Sequence, residues 1–131
     1  MHAVPIGTIG TARVTVESAH TAAALGSGDL PVFGTPALVA LLEAAAVEAV
    51  RAALDGEETS VGTWIGVSHL AASPLGLRIR AEAELTAVDG RMLSFAVRAF
   101  DEHEKIAEGE HRRVLVPRER FMRNANAKTT S

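Results

Sequence analysis

Residues 77–100 read LRIRAEAELTAVDGRMLSFAVRAF, and their reading decides the fold. Leu77, Ile79, Ala81, Ala83 and Leu85 alternate with Arg78, Arg80, Glu82, Glu84 and Thr86. Period-two alternation places the first set on one face of a strand and the second on the other. Asp89-Gly90 follows, a pair that closes two-residue hairpins. Residues 92–100 then return with Leu93, Phe95, Val97 and Ala99 on the inner face. An antiparallel hairpin with one buried face needs a cover.

The cover lies upstream. Thr35-Pro36 opens a helix, Thr as a good N-cap and Pro at the first helical position. The helix is predicted to run to about Leu54 and to end at Asp55-Gly56. It is apolar on nearly every side, which marks it as buried. Residues 8–17 form a first strand, 20–31 a Gly-, Ala- and Ser-rich loop, and 60–71 and 105–116 two further strands. From about 118 onward the chain turns polar and is expected to form a frayed tail. The economical arrangement is α+β: a curved antiparallel sheet of about five strands wrapped around one long central helix. Its open edge strands invite edge-to-edge dimerisation.

The bulk numbers narrow the chemistry. A chain of 131 residues fits a single domain spanning 1–131. The absence of cysteine removes disulfides, thiolate nucleophiles and Cys-based zinc sites. A net charge of −3 argues against nucleic acid as a partner. The most apolar stretch, 37–54, is too short and too charged to span a bilayer. Residues 1–11 lack the features of a signal peptide, so cytoplasmic residence is the expectation. No pair of histidines has convincing metal-ligand spacing, so no metal is expected.

Several residues stand out. Glu43 lies five residues before Glu48, about 140° around the helix from the polar stripe of Glu48, Arg51 and Asp55. Its helical neighbours are Val39, Ala40, Ala46 and Val47. A carboxylate among them is either a poised acid or nucleophile, or a structural group paired with a buried Arg or backbone donors. His69 shares strand parity with Val61, Ile65, Val67 and Ala71, which fits a general base or a satisfied core histidine. Thr35 serves as a helix cap, and about 12 Å of helix separate it from Glu43. A site using both must be bridged by substrate, other strands or another subunit. Gly62 and Gly66 flank Trp64 and mark either a close approach to a ligand or a bend. Arg112 and Arg113 face opposite sides of the last strand, and one of them can meet a phosphate or carboxylate. His111 is ambiguous.

These residues also stand in a recognisable order: Val-Phe-Gly-Thr (32–35) with Glu43 eight residues later, Val-Gly-Thr-Trp-Ile-Gly-Val-Ser-His (61–69), Ala-Ala-Ser-Pro-Leu-Gly-Leu (71–77), the Val-Asp-Gly-Arg hairpin and Gly-Glu-His-Arg-Arg-Val (109–114). Over roughly Leu30 to Lys128 the chain resembles the hotdog-fold thioesterases, most closely the fluoroacetyl-CoA thioesterase type. The resemblance implies hydrolysis of an acyl-CoA or similar small acyl thioester to acid and thiol. It implies no cofactor beyond the CoA of the substrate, and a homodimer with sites at the subunit interface. The catalytic set would fall on Thr35, Glu43 and His69. Backbone contact to the thioester would fall on Gly62, and a contributing arginine on Arg113. Fluoroacetyl-specific members carry a gating Phe shortly before the Val-Phe segment; here Leu30 holds the nearest position and the intervening segment is one residue shorter, which leaves the acyl group open. Two other functions compete. A hotdog hydratase or dehydratase would carry an Asp and His in a characteristic segment, which is not found. A non-catalytic hotdog protein that binds acyl-CoA would not need Thr35, Glu43 and His69 together.

Overall fold

The computed structural model describes residues 1–129. Five strands, β1 (Ile9–Thr15), β2 (Glu58–His69), β3 (Arg78–Asp89), β4 (Met92–Phe100) and β5 (Lys105–Pro117), form one antiparallel sheet in the order β1-β3-β4-β5-β2. The main helix α2 (Thr35–Val50) packs on its concave face, chiefly over β1 and β3. This is the α+β architecture expected. A short helix α1 (Ala22–Leu25) interrupts the predicted loop.

The hairpin of β3 and β4 keeps its alternation. Ile79, Ala81, Ala83 and Leu85 meet Leu93, Phe95, Val97 and Ala99 on the inner face, all essentially without solvent exposure. Leu38, Leu42, Ala45, Ala46 and Val50 of α2 close the core. Each large apolar side chain so buried contributes about 1.5–3 kcal/mol. The small residues set the helix-to-sheet distance: a Cβ on Gly10 of β1 would collide with the Ala45 carbonyl and the Ala49 backbone.

Three expectations are corrected. Gly34, not Thr35, is the N-cap of α2, and Thr35 is the first helical residue. The α-helix ends at Val50 and a 3₁₀ turn carries the chain to Ala53. The polar stretch expected to be a tail from about 118 begins as a helix, α3 (Arg118–Asn126), with Phe121 and Met122 exposed among its charges.

β2 is bulged. Gly62 pairs with Arg113 and Trp64 with Arg112, so Thr63 is an extra residue in the ladder. One extra residue reverses the facing of everything beyond it. Ser60 and Gly62 face the helix on one side of the bulge, and Ile65 and Val67 pack on the core on the other. Strict alternation would have put Gly62 and His69 on opposite faces. Thr63 puts both on the helix side.

Candidate active site

The residues singled out from the sequence assemble into two groups. The first lies at the start of α2. Gly34 N–H donates to His20 O (2.8 Å) and Phe33 N–H to Ser73 O (2.8 Å), which pins the approach to the helix against the turn after β2. Ser73 is itself held by Asp101 (2.9 Å). Thr35 is thereby brought to His69: its Oγ1 lies 2.9 Å from the ring Nδ1. Among the described residues, His69 Nε2 is buried with no hydrogen-bond partner. Burial lowers the imidazole pKa from its ordinary 6.5, opposed by a backbone contact from Ala71, so the ring is neutral near pH 7. Val32, Phe33, Gly34, Leu70 and Ala71 line a cavity of about 330 Å³ beside the pair.

The second group surrounds Glu43. Its carboxylate Oε2 accepts from Arg113 Nη1 at 3.1 Å. Arg113 is buried, and its Nε and Nη2 donate to Ser60 Oγ (2.9 Å) and Ser60 O (3.0 Å). Burial pushes the guanidinium pKa down, and Glu43 opposes this. His111 Nε2 lies 3.2 Å from Arg113 Nη1. A guanidinium only donates, so Nε2 must accept, and Nδ1 carries the proton and donates to Trp64 O (2.8 Å). Burial and the neighbouring guanidinium keep this imidazole neutral as well, against the pull of Trp64 O and Glu43.

Of the two forms its pattern allowed, Glu43 takes the paired one. It is paired with a buried arginine, yet its side chain remains 38% exposed rather than withdrawn from water. Gly62 makes room for it: a Cβ there would sit 2.7 Å from Glu43 Oε2, so only glycine lets the carboxylate lie this close to the β2 backbone.

The two groups do not meet within one chain. Glu43 is eight residues along the helix from Thr35, about 12 Å. Gly62 is seven residues along β2 from His69, about 23 Å. Thr35 is bonded to His69, not Glu43. Leu30 is 62% exposed in the loop before α2 and is not among the residues lining the Thr35–His69 cavity. Arg112 lies outside, its guanidinium 4.8 Å from the Trp64 ring. Sequence reasoning left His111 unassigned and passed over Ser60. The signal was present in the parity of the last strand, where His111 and Arg113 are two apart and share a face.

Among the described residues, no cluster of His, Asp and Glu is arranged to hold a metal ion. No helix among them is long and apolar enough to cross a membrane.

Known proteins resemble this chain in sequence and in fold. Residues 16–119 match the family model described as fluoroacetyl-CoA-specific thioesterase. The fluoroacetyl-CoA thioesterase of Streptantibioticus cattleyicolor is 42% identical over 98 residues, covering 75% of this chain and 70% of that protein. A solved structure of the fluoroacetyl-CoA thioesterase FlK superimposes with a TM-score of 0.88 at 35% identity, covering 98% of both chains. A thioesterase superfamily member from Thermus thermophilus shares the fold, with a TM-score of 0.89 at 23% identity over the full length of both. The chain belongs to the fluoroacetyl-CoA-specific thioesterase family, whose fold is the hotdog.

Proposed function

We propose that Thr35, Glu43 and His69 are the catalytic set of this acyl-CoA thioesterase, and that the set is completed across a homodimer. Hydrolysis of an acyl-CoA thioester is the chemistry of its family. The observation that carries the assignment is the half-exposed Glu43 carboxylate, held by buried Arg113 against the Gly62 backbone. In this reading Glu43 attacks the thioester carbonyl, or draws a proton from the water that does. The Gly62 backbone helps hold the developing oxyanion. His69, steadied through Nδ1 by Thr35, presents Nε2 to the reaction as base, or as the acid that assists the departing thiolate. Arg113 holds the carboxylate in place.

A dimer reconciles the separation of the two groups. β2 lies at the edge of the sheet, a twelve-residue strand free to pair. If two copies pair antiparallel about a midpoint near Ile65 and Gly66, the partner subunit's His69 lies opposite Gly62. Its Thr35 comes with it. The reaction needs no cofactor, and the protein is assigned to the cytoplasm. The small cavity beside Thr35 suits a short acyl group.

The test is thiol release from short, branched, aromatic and fluorinated acyl-CoAs by the native protein and Glu43→Gln. Turnover of one class, with a loss of about 10²–10⁴-fold in the variant, is expected. Near-native turnover by Glu43→Gln sinks the assignment. Binding of the panel without hydrolysis makes the protein an acyl-CoA binder.

A further inference from the structure

A large cleft lies away from both groups, where the end of β5 meets the start of β2. It measures about 630 Å³ and is lined by Gly56, Glu57, Arg91, Pro117 and the first turns of α3. Four guanidiniums, those of Arg91, Arg118, Arg120 and Arg123, share it with only two carboxylates, Glu57 and Glu119. This concentration stands on a chain whose net charge is −3.

Three separate elements are held together to make it. Arg118 N–H donates to Glu57 O (2.8 Å), fixing the start of α3 to the start of β2. Leu115 N–H donates to Arg91 O (2.9 Å), fixing the β3–β4 hairpin beside them. The Arg118 side chain is engaged with Glu58 O (3.2 Å), and that of Arg91 only loosely with Leu115 O (3.5 Å). Among the described residues, none of the four forms an ion pair with a carboxylate, although Glu57 and Glu119 line the same cleft. All four are exposed. Arginines elsewhere in the sheet do find carboxylates: Arg98 bonds Glu82 at 2.8 Å and Glu84 at 3.3 Å.

We propose that this cleft binds the phosphorylated nucleotide end of coenzyme A, the guanidiniums of Arg120 and Arg123 taking its 3′-phosphate. Guanidinium forks match phosphate oxygens in pairs. The reach agrees. Glu57 is five residues along β2 from Gly62, about 17 Å. The arm between the thioester sulfur and the first phosphate has about thirteen bonds, the length of roughly four extended residues, about 14 Å. The diphosphate and ribose extend it further. The nucleotide end of a thioester held at Gly62 is long enough to reach the cleft.

The inference rests on the acyl-CoA reading, but its test is independent of turnover. Calorimetric titration of the native protein and the Arg120→Ala/Arg123→Ala double variant with CoA, dephospho-CoA and pantetheine reads the cleft directly. The native protein is expected to bind CoA about 10-fold or more tightly than dephospho-CoA. The double variant is expected to bind both alike, at the affinity of dephospho-CoA. A native protein indifferent to the 3′-phosphate overturns the proposal, and so does a variant that keeps the preference. Failure of the thioesterase reading shows elsewhere, as absent hydrolysis or an active Glu43→Gln.

Discussion

The two halves of the site are built on opposite principles. Around Glu43 every polar neighbour is spoken for: Arg113 bonds the carboxylate, Ser60 and His111, and His111 bonds Trp64 O. Around Thr35 one hydrogen bond joins two side chains, and a ring nitrogen is left over. A saturated network fixes a charge in one place and one orientation. An unsaturated pair keeps one group in reserve for something that arrives. On the proposed assignment the proton moves at His69 rather than at His111, although burial lowers the pKa of both rings.

The sharpest way to break this contrast is His69→Ala. Turnover is expected to fall by about 10²–10⁴-fold, with little change in thermal melting, because the ring gives the fold one hydrogen bond. A melting temperature that collapses with activity makes the Thr35–His69 pair structural, and the contrast fails.

His111→Phe tests the saturated half. It strips Trp64 O and Arg113 of a partner, and urea unfolding at pH 7.5 should show a loss of about 1–3 kcal/mol. The pH dependence carries a sign. The folded-state pKa of His111 is lowered, so the unfolded chain binds more protons, and stability falls as pH drops below about 6.5. Arg113 and Glu43 face this ring, and His69 titrates in the same direction. The variant should therefore lose part of the native acid sensitivity between pH 7.5 and 5.5, not all of it. An unchanged slope rules out a neutral His111 as its source.

The smallest expected effect is that of Thr35→Ala. One hydrogen bond to a neutral ring is worth about 2- to 10-fold in kcat. Burial lowers the His69 pKa, so if the neutral ring acts as base, the acid limb of native kcat/KM lies below 6.5. Opening the pocket at Thr35 should move that limb up toward the ordinary value. Rate profiles of the two proteins across pH 5 to 8 decide this.

How much of this was legible follows the range of the forces involved. The β3–β4 hairpin was readable because alternation and a two-residue turn are local, and its strands fall within a residue of expectation. The start of α2 was misassigned by one residue because Thr35 looks like a cap until His69, thirty-four residues away, takes its hydroxyl. α3 was missed because its nine residues are polar on the whole and bury no side chain. Of the proposed site, Thr35, Glu43, His69, Gly62 and Arg113 were all named. Their sorting into two groups was not, because it depends on sheet register. His111 became informative only when Arg113 was seen to donate to it.

Thr63 has a consequence for anyone who would move this site to another scaffold. It acts as a phase shifter in β2: residues before it count even, residues after it count odd, and both counts point toward the helix. Copying Gly62 and His69 onto a regular strand at the same spacing would aim one of them into solvent. Deleting Thr63 here would do the same while changing neither residue. The spacing from Gly62 to His69 is thus a coded instruction that includes one silent letter, and a graft must carry that letter to be read in frame.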